Sequence, residues 1–311
     1  MSRAPLIHIC HEIVKATGLE IPSLQSIELV GRGYSSTVFR VESKPDCQTA
    51  IKIRTDSRGP FTDEFASLTR VAPLGLAPRP YAHGVLHGYY FLVTEFILGR
   101  PWPRVPAEGD IARAAEFFSV LHSLHSTTDE YRFQKRLKYA EALIRETDAA
   151  EVMHAVGPVS YHRFLRCLDS CRAHVHRLSP VVDGLHLMSM CHCDASPENI
   201  RLNRTAMLAV DWDDAKEHYY AFDVSAFMVK CLLTLKSRRS FYERYRAPEE
   251  CCAEVIDAHI PTSMLDITTW HLDGLIHGRH SNRHRWIDGR NDEMFLFDHC
   301  LKLLERLLKL T

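Results

Sequence analysis

The sequence predicts an α+β protein of two lobes, and three observations carry the prediction. Residues 1–98 hold short β-branched and aromatic runs parted by turns. Glycine and proline then crowd the stretch around residue 100. From there to residue 311 the apolar residues recur mainly at helical spacing, with one hairpin-like interruption. The lobe boundary therefore falls between 98 and 99, with an antiparallel sheet and helix before it and a mainly helical lobe carrying a β-hairpin after it.

Each element follows from its local pattern. Residues 6–17 put their apolar side chains on one helical face, and Gly18 is placed to end that helix. "SIELV" (26–30), "STVFRVE" (36–42) and "TAIKIR" (49–54) read as an antiparallel meander, joined through "GRGYS" and "SKPDC". Phe65, Leu68 and Leu74 suggest a helix from Thr62 to Leu76, which Pro78 and Pro80 stop. Strands follow at "AHGVL" and "YYFLVTEF", and Gly99, Pro101 and Pro103 break the chain. Asp110 is placed to cap a helix over 111–125, whose Ile111, Ala114, Ala115, Phe118, Leu121 and Leu124 keep the 3.6-residue period. The one β interruption beyond it is "IRL" (200–202), a turn at "NRT" and "MLAVD" (207–211). The closing "DHCLKLLERLLKL" is an amphipathic helix, which suits core packing.

Composition narrows the function classes. A chain of 311 residues with 46% hydrophobic and 25% charged residues can bury substantial cores. Its 38 Lys plus Arg against 39 Asp plus Glu create no overall field toward nucleic acid or an anionic membrane, so partners are recognised locally. No signal-peptide pattern opens the sequence and no apolar run is long enough to span a bilayer, so a cytoplasmic protein with neither membrane nor nucleic-acid partner is expected. The ten cysteines are scattered through a chain too large to need stapling and read as reduced, mostly buried thiols.

The chemistry concentrates in "CHCDASPENIRLNRTAMLAVDWDDA" (191–215), which admits two readings. Cys191, His192 and Cys193 have zinc-ligand chemistry, but immediate neighbours point apart, and zinc ligands usually stand two to four residues from each other. Alternatively, His192, Asp194 and Asn199 fit H-x-D-x-x-x-x-N, in which the Asp accepts the proton of an attacking hydroxyl and the Asn holds Mg2+. Asp211 ends the hairpin that starts after Asn199, so its carboxylate returns beside the Asn to complete a hard oxygen site.

Upstream, Lys52 sits mid-strand, where an ammonium among apolar residues needs an anion; nucleotide phosphates supply one and Glu64 can hold the lysine. A solvent-facing lysine on an edge strand is the other reading. Gly31 and Gly33, with Ser35 and Ser36, form a turn small enough for backbone N–H groups and hydroxyls to approach phosphates, although any hairpin can carry two glycines.

Together these residues resemble the aminoglycoside phosphotransferase and choline kinase group, the small-molecule branch of the protein-kinase-like fold, over about residues 25–300. "LVTEFILGRPW" looks like its strand-to-hinge segment, "FFSVLHSLH" like its first C-lobe helix, "CHCDASPENI" like its catalytic loop, "LAVDWDDA" like its metal-binding motif, and "AFDVSAF" like the segment that braces the loop. The resemblance implies ATP and Mg2+ as cofactors, Asp194 as catalytic base, Asn199 and Asp211 as metal ligands, and Lys52 with Glu64 as the phosphate-anchoring pair. It further implies adenine binding through the Glu95 carbonyl and the Ile97 N–H, a supporting role at the metal for Asp213, and structural roles for His192 and Asp223. Cys193 departs from the family's glycine and is strained if its φ is positive.

The implied reaction moves the γ-phosphoryl group of ATP to a hydroxyl of a small molecule, an antibiotic of aminoglycoside or related type on the resemblance, or else a metabolite such as an amino alcohol, choline-like or homoserine-like. "HGRHSNRHRWIDGRNDE" (277–293), with Trp270 and Trp286, suits an acceptor bearing a carboxylate or phosphate, with Asp288, Asp292 and Glu293 available to an amine; a solvated loop between helices is the favoured reading, because charged residues in loops need no ligand. A catalytically silent nucleotide-binding protein is the rival, and the joint presence of Lys52, Glu64, Asp194, Asn199 and Asp211 argues against it.

Overall fold

A computed structural model describes residues 3–18, 27–32, 36–44, 47–54, 58–248, 252–277 and 293–309. In chain order the elements are α1 (Arg3–Ala16), β1 (Ile27–Arg32), β2 (Ser36–Lys44), β3 (Cys47–Arg54), α2 (Thr62–Val71), β4 (Pro80–Leu86), β5 (Tyr89–Glu95) and α3 (Glu108–His122). Then come β6 (His125–Tyr131), α4 (Lys138–Glu146), α5 (Ala149–Val156), α6 (Pro158–Val182), β7 (Gly184–Cys191), β8 (Ile200–Leu202), β9 (Met207–Ala209) and β10 (Lys216–Tyr219). The chain closes with α7 (Tyr220–Lys230), α8 (Leu235–Tyr242), α9 (Cys252–His277) and α10 (Glu293–Lys309). Two compact units result: Met1–Trp102 with Asn199–Lys216, and Pro103–Glu198 with Glu217–Thr311.

The first unit is built on a five-stranded antiparallel sheet of order β1-β2-β3-β5-β4. Period-two alternation assigns its faces. Phe39, Val41, Ile51, Ile53 and Val93 form one buried cluster with Ile9, Cys10, Ile13 and Val14 of α1. Lys52, between Ile51 and Ile53, points to the opposite face. Pro80 begins β4 rather than merely ending the helix before it, which an edge strand permits because one side of its backbone has no partner. The β8–β9 hairpin, expected in the second lobe, packs with this first unit: Arg100 and Leu202 exchange backbone bonds of 3.0 and 2.7 Å, and Ala209 N–H donates to Leu76 O at 2.9 Å.

The second unit is mainly helical. α9 packs against α7 and α10, burying Ile256, Leu265 and Leu272 with Tyr220, Val224, Phe227, Leu296 and Phe297. α3 starts one turn earlier than its apolar period suggests, so Asp110 is not the residue before the helix; it lies buried in the first turn and caps it from there, accepting the Ala107 N–H at 3.0 Å and pairing with Arg113. A three-stranded sheet of order β10-β7-β6 has no counterpart in the sequence reading. "HSTTDEY" carries no apolar alternation, and "GLHLMSMC" shifts from exposed to fully buried along its length, so neither shows a period of two. The seven free cysteines among the described residues match the reduced reading, six of them buried. No helix among the described residues is long and apolar enough to cross a membrane.

One buried group makes the second unit acid-sensitive. His259 is fully buried on α9, with Nδ1 2.7 Å from Val255 O and Nε2 3.0 Å from the Tyr131 hydroxyl. Burial, with the charges of Arg136, His218 and His186, pushes its pKa down to about 3 against the opposing bond to Val255. In the unfolded chain this histidine takes a proton below about pH 6.5 and in the folded protein it does not, so its contribution to stability falls as pH drops from 6.5 toward 3. Between pH 6.5 and 5 the expected loss is about 2 kcal/mol. His259→Gln should flatten that part of a denaturant-derived stability curve, and an unchanged slope would show that the acid sensitivity lies elsewhere.

Candidate active site

In the first unit a buried cation gathers three segments. The Lys52 ammonium lies 2.8 and 3.0 Å from the Glu64 carboxylate oxygens and 2.5 Å from Asp211 Oδ1, and 5.3 Å from the centre of the Phe61 ring. β3 is the central strand, paired with both β2 and β5, and Lys52 is 8% exposed, which eliminates the edge-lysine reading. Glu64 is 3% exposed, and its Oε1 also accepts the Trp212 N–H at 3.1 Å. Burial alone would lower the Lys52 pKa; the Asp211 and Glu64 carboxylates outweigh it and hold the ammonium more firmly protonated than a free lysine.

The hairpin carries the two oxygen donors that the sequence suggests for a metal. Val210 N–H donates to Asn199 O at 2.8 Å, so Asn199 and the residue after Val210, Asp211, stand side by side at its open end. Asp211 has φ +65°, a left-handed conformation that aspartate tolerates better than most residues. Trp212, wholly buried, anchors the turn through Nε1 to Ala209 O at 2.8 Å. An aspartate carboxylate and an asparagine amide, on residues brought to one end of the hairpin by its backbone, are hard oxygen donors of the kind Mg2+ takes, so the residue types present fit the ion.

Asp213 is committed elsewhere. Arg54 grips it with two bonds of 2.7 and 2.9 Å and Arg58 adds one of 3.1 Å. Burial would raise its pKa, but the Arg54 bonds and the nearby Lys52, Arg54 and Arg58 charges hold it below the usual carboxylate range. Arg54 lies two residues beyond Lys52 on the same strand face, a spacing visible in the sequence.

In the second unit the loop after β7 is held from α7. The N–H groups of His192 and Cys193 both point at the Asp223 carboxylate, at 2.9 and 2.8 Å. His192 Nδ1 accepts the Asp194 N–H at 3.2 Å, and Ser196 N–H donates to Asp194 O at 2.8 Å. His122, at the end of α3, sits 3.3 Å from Asp223 through Nε2 and 2.7 Å from the Tyr245 hydroxyl through Nδ1. Burial would raise the Asp223 pKa, but His122 and the His192 backbone hold it low. His122, Cys191 and Asp223 bring potential ligand atoms within 4.8 Å of one another, yet the Asp223 oxygens already accept these N–H bonds and the group reads as a brace. The side chains of Cys191 and His192 diverge, Cys191 toward His218 O at 3.4 Å, so the zinc reading of 191–193 finds no support. Asp194 itself is paired with Lys230, a partner that sequence reasoning missed.

The remaining predicted residues fall as follows. Gly31 lies in β1 opposite Val38, after a register shift, and a Cβ built there meets nothing within 4 Å. Ser36 opens β2 and is buried. Glu95 ends β5, with its carbonyl accepting the Thr94 hydroxyl at 3.1 Å, and Ile97 follows two residues later. Gly33, Ser35, Trp286, Asp288 and Asp292 lie outside the described residues. Glu293 begins α10 and is 2.7 Å from His271, so it serves the helix junction.

Cys193 has φ +63°. Asp223 takes the N–H of this residue and of the one before it, and the left-handed turn follows at the Cys193 Cα, where the chain leaves the brace toward Asp194. Charge-assisted bonds of this type contribute about 1.5–3 kcal/mol each, more than the roughly 1–2 kcal/mol of left-handed strain.

Comparison with known proteins agrees with this geometry. The chain resembles a Plasmodium vivax ethanolamine kinase (TM-score 0.68, 13% identity, 98% of this chain and 91% of that one). It also resembles the choline kinase LicA from Streptococcus pneumoniae (TM-score 0.68, 17% identity, 97% and 99%) and the aminoglycoside phosphotransferase APH(4)-Ia (TM-score 0.64, 11% identity, 97% and 97%). No curated protein sequence matches it. The fold is thus the protein-kinase-like one expected from the sequence. The sequence model of the Phosphotransferase enzyme family matches residues 26–249, and the chain belongs to that family, whose members are kinase-type enzymes.

The strain at Cys193 is measurable. Cys193→Gly should raise unfolding free energy by up to about 1 kcal/mol, relief of strain exceeding the added chain entropy, whereas Cys193→Val should lower it by about 2 kcal/mol. Equal stabilities in denaturant titration would show that the angle carries no cost.

Proposed function

We propose that the protein transfers the γ-phosphoryl group of ATP to a hydroxyl of a small molecule. The observation that carries this reading is the joining, within one unit, of Lys52, Glu64 and Asp211, with Asn199 beside Asp211 at the hairpin end. A lysine buried against two carboxylates holds its charge ready for phosphate oxygens, and Glu64 fixes its position from α2. Gly31, Gly33, Ser35 and Ser36 are assigned to the phosphates, and the Glu95 carbonyl and Ile97 N–H to the adenine. Asn199 and Asp211 are assigned to Mg2+, which when bound would supply neutralisation of phosphate charge. Asp194 orients the acceptor hydroxyl and receives its proton.

For the acceptor, an aminoglycoside-type antibiotic is the first candidate and an amino alcohol such as choline or ethanolamine the second; the chain belongs to a family of phosphotransferases, and its fold is shared by proteins named for both. ADP release in a coupled assay against aminoglycosides, other hydroxylated antibiotics, choline and ethanolamine decides between them. Turnover with no panel member would count against the small-molecule reading.

Two substitutions separate the assigned roles. Asp194→Ala should cut turnover by about 100-fold or more while Mg-ATP still raises the melting temperature. Asp211→Ala should remove most of the roughly 2.7 kcal/mol that Mg-ATP adds at a hundredfold excess over its Kd. Near-normal turnover in the first variant, or an unchanged thermal shift in the second, would overturn the respective assignment.

A further inference from the structure

Helix α7 carries two charged residues seven positions apart, Asp223 and Lys230. Seven residues are nearly two helical turns, so both side chains leave the same face. Asp223 takes the backbone N–H groups of His192 and Cys193, and Lys230 reaches the carboxylate of Asp194, the next residue of the loop. One helix face therefore holds three consecutive loop residues, two by the main chain and one by its functional group. Cys231, adjoining Lys230, brings its Sγ to 4.0 Å from Ala195 O and extends the contact by one residue.

A lysine closing a helix needs no special partner, because the C-terminal end of the helix dipole favours a cation there. Lys230 does more than close α7. Its side chain is 21% exposed, turned away from solvent and onto the carboxylate that phosphoryl transfer would use. A free aspartate side chain samples several rotamers, and a base presented to a phosphoryl group also meets the like charge of the phosphate oxygens. A fixed ammonium on the same carboxylate answers both problems.

We propose that Lys230 is the positioning residue for Asp194: it holds the carboxylate in the orientation that receives the acceptor proton and offsets its repulsion with the transferring group. The proposal rests on the phosphotransfer reading above. In that reaction the acceptor oxygen bonds to the γ-phosphorus as the bond between that phosphorus and the bridging oxygen of ADP breaks. The acceptor O–H proton passes to Asp194 and from there to solvent, and ADP departs with the bridging oxygen's electron pair. Lys230 exchanges no atom or electron; it acts through Asp194.

The test is a double-mutant cycle on the full-length protein, comparing Lys230→Met, Lys230→Arg, Asp194→Asn and the Lys230→Met/Asp194→Asn pair. ATP turnover is followed with the best acceptor from the panel and with water alone. Lys230→Met should lower kcat by about 10- to 100-fold, the scale of a misplaced catalytic group. Its KM for Mg-ATP should stay within about twofold of wild type, and Lys230→Arg should recover most of the loss. The double variant should be no slower than Asp194→Asn, because removing the support of an absent base has no further effect. A Lys230→Met turnover within about twofold of wild type, or losses that multiply in the double variant, would overturn the positioning role. Asp194→Asn reports separately on the reaction itself: normal turnover in that single variant would remove the phosphotransfer reading and this proposal with it. A thermal shift with Mg-ATP in Lys230→Met equal to that of wild type shows that the fold and nucleotide site are intact, so any loss of kcat belongs to Asp194; a diminished shift would instead make Lys230 a structural residue and overturn the proposal.

Discussion

A charge can be buried only when opposite charge or hydrogen bonds replace the water it loses, and each unit of this protein is assembled around one such charge. In the first unit it is the Lys52 ammonium, held by Glu64 and Asp211. Because Glu64 also accepts the Trp212 N–H, the same contact ties the central strand to α2 and to the segment after the hairpin. Removing Lys52 would leave the Glu64 carboxylate buried and uncompensated, a heavier loss than the pair's own net contribution. The side chains proposed to serve phosphate and metal therefore also tie together β3, α2 and the segment after the hairpin.

Asp223 plays the corresponding part in the second unit. Its buried carboxylate is stabilised by two backbone N–H groups and His122. Cys193, the second residue whose N–H it holds, has a positive φ. A glycine at this position would adopt the turn freely. This chain uses cysteine there, and the brace supplies the energy that holds it.

How much of this was legible in the sequence depended on how local each signal was. The meander could be read because its strands carry branched residues in alternation and its turns follow immediately. Lys52 could be singled out because an ammonium in the middle of a strand needs an anion to meet. The β6–β7–β10 sheet could not, since its strands are polar, uneven in burial or only four residues long. The Arg54–Asp213 and His122–Asp223 partnerships were hidden by separations of 159 and 101 residues, across which no spacing rule applies.

The sequence by itself determined the fold class, the family to which the chain belongs and the residue types able to handle phosphate, metal and proton, because these depend on periodicity and on motifs within a few residues. Tertiary structure alone decided which partner each of those groups found. It placed Lys52 on a central strand, gave Asp213 to two arginines, packed the hairpin with the sheet and bent Cys193 into the left-handed region. The reason is physical: the partner of a charge is fixed by which surfaces pack together, and that depends on contacts between residues far apart in the chain.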